Sequence, residues 1–362
     1  MKQFDYLICG YYGMKNTGDD ALLLATWQML RRLHPQALIG VTAAACAYGE
    51  PVLPRLERFR GHRRLALYQA AAKSTALVFG GGSTFHSQSD LDLKRHMLQL
   101  AGPGPHLAVG VGIGPFPNDK ALHACKKVLR KLSFVGVRDQ VSLKLCKEMG
   151  LKNCHLTFDL APSILPANIP SEWWQESREG IGVSLCPLEG VTNGDPEKEA
   201  DRLSRIIDAL EALAQTTQQP IILLDFNGHD YWGDARLHAE IQHRMGDQYD
   251  VRRYSYSEHP MEFFNRIRSL KCMIGMRLHA QVFAYMTKTP VIALNYHTKN
   301  EGWLDQIGHP QAMRLDCQSF AAKSLFGLVA AGICRGFPQP SVSVEEAVRR
   351  SLTNWSHNYV QS

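Results

Sequence analysis

The chain has 362 residues, of which 45% are hydrophobic and 20% charged, a composition typical of a globular protein rather than a disordered or fibrous one. This length exceeds the size at which one hydrophobic core usually splits, so we expect two domains. Lys and Arg number 40 against 34 Asp and Glu, and the net charge of +6 suits an anionic substrate but excludes a protein that coats nucleic acid. No apolar run approaches the length of a membrane-spanning helix.

The N-terminus and the cysteines both indicate a cytoplasmic protein. The opening residues, MKQFDYLICGYYG, lack the pattern of a secretory signal peptide, because their apolar run is short and Asp5 interrupts it. The nine cysteines are an odd number and form no CxxC pair, and several fall in apolar runs. We therefore expect reduced core thiols rather than a disulfide framework or a zinc site.

Short β-rich runs alternate with helix-period stretches in the first half of the chain. The predicted strands are 4–9, 37–41, 75–79, 106–111 and 134–137, and the predicted helices are 19–33, 91–100, 118–132 and 140–149. Each strand is apolar nearly throughout, as expected for a parallel strand covered on both faces. This alternation predicts a doubly wound α/β sheet.

A proline- and tryptophan-containing break at 165–179 separates this half from a second one with the same pattern. The second half predicts strands at 181–185, 220–224, 250–253, 272–275 and 291–294, and helices at 197–216, 235–245, 260–269 and 277–286. We expect an N-terminal domain at 1–166, a C-terminal domain at 178–335 and a helix at 341–362 that packs back across the domains. Two α/β domains favour a cleft enzyme, because ligands bind beyond the carboxyl ends of parallel strands.

Three glycine-rich stretches follow predicted strands of the first domain. In Gly10–Gly18, bare backbone runs into a helix whose N–H groups favour an anion, although a tight turn capped by Asp19 or Thr17 is the alternative. The second stretch is Gly80–Gly82 followed by Ser83, and the third is Gly110–Gly114. Each stretch is a weak signal alone, but three at successive strand ends predict a ligand site.

Two arginines and a histidine follow predicted strands. Arg138 directly follows strand 134–137, where a guanidinium can hold a carboxylate or phosphate, and a surface pair with Asp139 is the alternative. Arg277 and His279 lie two residues apart at a strand-to-helix bend, where they would supply an anion anchor and a general acid or base. A histidine that only caps the helix is the alternative there. Lys299, after the next strand, would add an ammonium group.

Two other features favour structural explanations. His229 and Asp230 could bind a metal in principle, but no ligand spacing supports a metal site. A basic run is most simply a solvated face, with contact to the anionic headgroup of a lipid-linked acceptor at the membrane surface as the alternative. Its members are Arg55, Arg58, Arg60, Arg63 and Arg64.

These motifs, in this order, resemble those of the polysaccharide pyruvyl transferase family. The matching stretches are GYYGMKNTGDDALL (10–23), VFGGGSTF (78–85), GVGIGP (110–115), VGVRDQVSLKL (135–145), FDLAPSI (158–164) and IGMRLHAQVFAYMTKTPVIALNY (274–296), followed by Lys299. The specific part is the Arg-x-His after a buried strand together with the upstream Gly-Val-Arg-Asp. At 297 and 298 the chain has His and Thr where the family has an acidic residue and proline.

The resemblance implies two Rossmann-like domains facing a cleft, as in the glycosyltransferase B fold, with the acceptor on the N-terminal side and the donor on the C-terminal side. It implies transfer of pyruvate from phosphoenolpyruvate to a sugar as a cyclic ketal, on a polysaccharide or its lipid-linked precursor, without a metal or other cofactor. Arg138 and Arg277 would hold the donor, and His279 would be the acid or base. The residues expected to bind substrate are Gly13, Asn16, Gly18, Asp19, Gly81, Gly82, Ser83, Gly112 and Lys299.

Two other functions are compatible with the residues. A glycosyltransferase that uses a nucleotide sugar could have the same architecture, and the loop 225–234 offers polar groups for a ribose. A non-catalytic module that binds sugars or anions would use the same glycine stretches but would not need His279.

Overall fold

The computed structural model describes residues 2–43, 63–174, 177–192 and 194–356. The chain forms two compact units. Unit 1 contains residues 1–14, 19–167 and 345–362, and unit 2 contains residues 15–18 and 168–344. The first glycine-rich stretch is therefore divided, with residues 15–18 packed in unit 2.

The core of unit 1 is a parallel six-stranded sheet in the order β2-β1-β3-β4-β5-β6. Its strands are β1 (Phe4–Cys9), β2 (Ile39–Val41), β3 (Ser74–Phe85), β4 (Leu107–Ile113), β5 (Phe134–Val137) and β6 (Cys154–Leu156). The connecting helices are α1 (Thr17–Leu33), α2 (Arg63–Ala72), α3 (Gln88–Leu100), α4 (Asp119–Leu129) and α5 (Gln140–Glu148). Every residue of β4 and β5 is buried, as expected for parallel strands covered on both faces. The strand order reverses between β1 and β3, which is the point where open α/β sheets bind ligands.

The second and third glycine stretches are strand rather than loop. β3 continues beyond Phe79 through Gly80–Gly82 to Phe85, and β4 continues through Gly112 to Ile113. Gly82 pairs with Val111, and the register between the two strands shifts before Phe85. Glycine is tolerated in these strands because their backbones form hydrogen bonds with the neighbouring strands. The local sequence pattern does not reveal this pairing.

Unit 2 also contains a parallel six-stranded sheet, in the order β12-β11-β10-β7-β8-β9. Its strands are β7 (Ile181–Ser184), β8 (Ile221–Leu224), β9 (Val251–Tyr254), β10 (Cys272–Gly275), β11 (Val291–Asn295) and β12 (Arg314–Asp316). Its helices are α6 (Leu188–Thr192), α7 (Pro196–Thr217), α8 (Ala235–Met245), α9 (Pro260–Arg268), α10 (Leu278–Met286), α11 (Thr298–Gln306) and α12 (Ala322–Arg335). This order is that of the Rossmann fold, and its reversal lies between β7 and β10.

The strands β6 and β12 were not predicted from the sequence. Both are three residues long and lie at a sheet edge, where half-exposed residues such as His155 and Leu156 give no continuous apolar run.

The last helix, α13 (Val344–Leu352), is followed by a single turn at Thr353–Trp355 that packs in unit 1. The buried Asn354 side chain accepts a hydrogen bond from the Gly110 amide at 2.7 Å and donates to the Phe158 carbonyl at 3.0 Å. The C-terminal segment is therefore part of the core of unit 1.

The predicted basic run falls partly within the described residues. Arg55, Arg58 and Arg60 lie outside the described residues, whereas Arg63 begins α2 and Arg64 is exposed on it. Among the residues that the structure describes, no helix is long and apolar enough to cross a membrane.

Candidate active site

Arg277 lies at the strand-order reversal of unit 2. It follows β10, which pairs with β7 in the register Gly275 opposite Ser184, and the Met276 amide donates to the Ser184 carbonyl at 2.8 Å. Arg277 itself is the N-cap residue of α10, with extended backbone angles that turn the chain from strand to helix. The predicted anion anchor is thus placed where Rossmann sheets bind their ligands.

The buried carboxylate of Asp234 orients the Arg277 side chain. Arg277 Nε donates to Asp234 Oδ1 at 3.0 Å and Nη2 donates to the same oxygen, while the Asn227 amide donates to Oδ2 at 2.9 Å. The Asp234 side chain is fully buried, whereas that of Arg277 is 16% exposed. The remaining N–H groups on Nη1 and Nη2 are those that could take an oxygen of an anion.

Burial and pairing act in opposite directions on the two charges of this pair. Burial by itself would lower the pKa of the Arg277 guanidinium, but the Asp234 carboxylate outweighs it and raises the pKa above its ordinary value. Burial raises the pKa of Asp234, against the lowering effects of Arg277 and His238 and of the Asn227 amide. The arginine therefore stays charged, but its charge is largely balanced by a carboxylate on the protein.

His279 lies against the start of α1. A Cβ placed on Gly18 would be 2.2 Å from His279 Nδ1, so the imidazole occupies the space that any side chain at this position would need. The Gly18 amide donates to Asn16 Oδ1 at 3.0 Å, and the Thr17 amide donates to the Phe226 carbonyl at 2.9 Å. The prediction that Asp19 or Thr17 caps this helix is wrong, because α1 begins at Thr17 and the preceding Asn16 supplies the capping oxygen.

Lys299 is exposed in the first turn of α11, after the neighbouring strand β11. Its backbone amide donates to His297 Nδ1 at 3.1 Å, so His297 is the helix cap. The Asn300 side chain donates to the Met276 carbonyl at 2.9 Å and thereby fixes the start of α11 against the residue that precedes Arg277. The departure from the family pattern at His297 is therefore compatible with a well-formed helix start.

In unit 1, Arg138 is buried rather than paired at the surface. Its Nη1 donates to Asp159 Oδ2 at 3.1 Å and its Nη2 donates to Ser83 Oγ at 3.1 Å. The side chains of Arg138 and Asp159 are 9% and 3% exposed. Asp139, the predicted surface partner, is 3.9 Å from Arg138 Nε and instead caps α5 by accepting from the Ser142 amide. The main partner of Arg138 is therefore Asp159.

Two of the predicted glycines of unit 1 lie close to this arginine and to Asp19. A Cβ on Gly112 would lie 3.3 Å from Ser83 Oγ and 3.5 Å from Arg138 Nε, and a Cβ on Gly82 would lie 3.4 Å from Asp19 Oδ1. Three of the predicted glycines have left-handed backbone conformations, with φ of 67° at Gly13, 66° at Gly81 and 75° at Gly82. The structure thus brings Ser83, Gly112 and Arg138 together.

Sequence reasoning missed both aspartates that hold the arginines. Asp159 lies in the FDLAPSI motif, and Asp234 ends the loop 225–234, for which the sequence predicts only polar groups for a ribose. Each is far from its arginine in the chain, so only the fold reveals the pairing. His229 and Asp230 do not form part of a metal site in the part of the chain that the structure describes, where no group of three or more potential metal ligands occurs. Asp230 instead forms an ion pair with Lys15 at 3.0 Å.

Several solved structures share this architecture. MnaA of S. aureus with UDP has a TM-score of 0.61 at 12% identity, covering 100% of this chain and 94% of that one. The UDP-GlcNAc 2-epimerase of Neisseria meningitidis has a TM-score of 0.61 at 10% identity, covering 96% and 98%. HepE of Anabaena with UDP and glucose has a TM-score of 0.57 at 17% identity, covering 97% and 95%. At these identities the likeness concerns the fold alone, and it confirms the predicted glycosyltransferase-B-like class of two Rossmann-like domains.

Sequence comparison identifies the family. The amylovoran biosynthesis protein AmsJ of Erwinia amylovora is 23% identical over 294 residues, which are 76% of this chain and 69% of AmsJ. The family model for polysaccharide pyruvyl transferase matches residues 16–298, well over half of the chain, and this range includes Arg138, Arg277 and His279. The chain therefore belongs to the polysaccharide pyruvyl transferase family.

Proposed function

We propose that this protein transfers pyruvate from phosphoenolpyruvate to two hydroxyl groups of one sugar, on a cell-surface polysaccharide or its lipid-linked precursor, and releases phosphate. The observation that carries the proposal is that an arginine and a histidine lie two residues apart at the strand-order reversal of unit 2. Arg277 is oriented by Asp234, and His279 packs against Gly18 at the start of α10. An anion anchor and a proton-transfer group are the two components that this reaction needs.

The reaction consists of bond exchanges and proton movements. Two sugar oxygens form bonds to C2 of the donor, and the bond between C2 and the phosphate oxygen breaks. Of the two hydroxyl protons, one goes to C3, which becomes a methyl group, and the other leaves on the phosphate. Because no electrons pass to an outside acceptor, the proposed reaction needs no redox cofactor. We propose that it also proceeds without a metal ion.

Arg277 would hold the donor by directed hydrogen bonds more than by net charge. Its pair with Asp234 contributes little net charge, yet Asp234 contacts Nε and Nη2 and so fixes the plane of the guanidinium. A planar fork held in this way suits the oxygens of a carboxylate or phosphate. We propose that the exposed Lys299, on the adjoining helix start, supplies additional positive charge.

His279 would carry the protons. It lies in the first turn of α10, two residues after Arg277. We propose that a donor held by Arg277 comes within reach of the imidazole. One histidine can take a proton from a sugar hydroxyl and deliver a proton to C3 or to the leaving phosphate. General acid–base catalysis of this kind contributes about 10²–10⁴-fold to the rate.

The direct test is to incubate the protein with phosphoenolpyruvate and a cell-surface glycan lacking pyruvate. The expected products are inorganic phosphate, followed by ³¹P NMR, and a new ketal methyl signal in the ¹H spectrum. Phosphoenolpyruvate at a hundred times its Kd should also stabilise the fold by about 2.7 kcal/mol.

UDP-glucose serves as the competing donor in this test. Thermal stabilisation by UDP-glucose and none by phosphoenolpyruvate would contradict the proposal and favour a nucleotide-sugar glycosyltransferase. A matched control is Arg253→Lys, because Arg253 also pairs side-on with a buried aspartate of unit 2, Asp225, but follows no candidate site strand. This variant should keep donor binding.

A further inference from the structure

The loop that follows β8, from Asn227 to Asp234, displays two large aromatic side chains. Tyr231 is 76% exposed and Trp232 is 37% exposed. Their ring centroids are 4.3 Å apart and their planes are at 87°, so the two rings form a right-angled corner. We call these two residues the aromatic corner.

The loop holds the corner in place through its own hydrogen bonds. The backbone amides of Tyr231 and Trp232 both donate to His229 Nδ1, at 3.2 and 3.1 Å. The His229 amide in turn donates to Asn227 Oδ1 at 3.0 Å. A Cβ on Gly233 would lie 2.2 Å from the His229 carbonyl oxygen, so the loop closes tightly. The exposure of the rings is therefore built into an ordered loop.

Charged groups border the corner. Lys15 Nζ and Asp230 Oδ1 are 3.0 Å apart, with side chains that are 53% and 91% exposed. Flat apolar faces beside exposed hydrogen-bonding groups match a pyranose ring, which has apolar C–H faces and a rim of hydroxyl groups. A protein partner fits less well, since two rings bordered by charges form a much smaller apolar patch than such interfaces use.

The same loop reaches the candidate donor site. Its last residue, Asp234, orients Arg277, and the Gly228 amide donates to the Lys15 carbonyl at 2.8 Å. A sugar bound at the corner would thus rest on the loop that positions the donor anchor. We propose that Tyr231 and Trp232 form a stacking subsite for a pyranose ring of the glycan acceptor, an inference that rests on the proposed function. The subsite places part of the acceptor on unit 2, whereas the family resemblance implied the N-terminal side.

The test measures sugar binding without the donor. Methyl pyranosides of glucose, galactose and mannose are titrated by NMR, with saturation transfer from the aromatic protons of the protein. Trp232→Ala and Tyr231→Ala should each weaken binding of the best of these sugars about tenfold. Trp232→Phe should retain most of the affinity, since it keeps an aromatic face. In transfer assays the two alanine variants should raise the acceptor KM and leave the donor KM unchanged.

Val191→Ala is the matched control, because Val191 is a 48% exposed apolar residue of α6 in the same unit, and it should bind the sugars normally. Equal sugar affinity in wild type and both alanine variants would overturn the proposal, as would no saturation transfer to any of the sugars. Loss of UDP-glucose binding alone would instead assign the corner to a nucleotide. Because phosphoenolpyruvate is absent, the sugar result is readable even if the protein forms no ketal.

Discussion

The arginines of the two units show how one sequence pattern can lead to two different states of a guanidinium. Arg138 follows β5 and Arg277 follows β10, and each contacts a buried aspartate. Arg138 uses both terminal nitrogens within unit 1, on Asp159 and Ser83. Arg277 is bound to Asp234 through Nε and Nη2, along one edge. The edge that carries Nη1 makes no contact with Asp234, and we therefore propose that donor binding falls mainly to Arg277.

The largest expected effect concerns His279, which has no counterpart beside Arg138. His279→Ala should lower kcat by about 10²–10⁴-fold, with donor affinity little changed, because it removes proton transfer and leaves Arg277 in place. The measurements are steady-state phosphate release and donor titration on the purified variant. If turnover of the folded variant is normal, His279 has only a packing role against Gly18, since Arg277 and not His279 is the N-cap residue of α10.

A second prediction tests whether the two aspartates have equal structural roles. Asp234→Asn and Asp159→Asn each leave a buried guanidinium without its countercharge and should lower the free energy of unfolding by about 3 kcal/mol. Urea denaturation measures this. Only Asp234→Asn should also weaken phosphoenolpyruvate binding, because only Arg277 presents a free edge. Equal weakening by both variants would remove the distinction between the arginines.

Acid should destabilise unit 2 through the buried side chain of His309. Burial, with help from the Arg314 charge, lowers the pKa of His309 to about 4. Since the unfolded chain takes up this proton near pH 6.5, the stabilising contribution of neutral His309 is complete above that pH and is lost as pH falls towards about 4, by about 3 kcal/mol in all.

His309→Gln should remove this part of the acid dependence, as followed by urea unfolding across that pH range. His123→Gln, at an exposed position of α4, is the control and should leave the dependence unchanged. An identical pH profile for His309→Gln and wild type would contradict the prediction.

The smallest expected effect comes from disturbing the contact between His279 and Gly18. Gly18→Ala would place a methyl group 2.2 Å from His279 Nδ1, so the imidazole must shift, and kcat should fall about tenfold. Gly302→Ala, in α11, is the control, because nothing lies within 4 Å of its Cβ position, and its activity should be unchanged. Wild-type turnover in Gly18→Ala would show that this contact does not position the imidazole.

The sequence predicted the fold class and the strand-end positions of the site residues, because buried parallel strands are continuous apolar runs and strand ends carry polar motifs. Arg277 and His279 were identified on this ground. Asp159 and Asp234 were not, since their roles depend on contacts between distant segments. The strand character of Gly80–Gly82 was missed for the same reason, as glycine has a low strand propensity and only pairing with the neighbouring strands overrides it.

The most direct test of the assignment to Arg277 is the Kd for phosphoenolpyruvate of Arg277→Lys and Arg138→Lys, measured by calorimetry alongside wild type. Lysine keeps the charge but loses the planar fork, so Arg277→Lys should weaken donor binding by about tenfold or more. Arg138→Lys should change the Kd much less, because the terminal nitrogens of Arg138 are engaged by Asp159 and Ser83. A wild-type Kd for Arg277→Lys, or a larger loss in Arg138→Lys, would contradict the assignment.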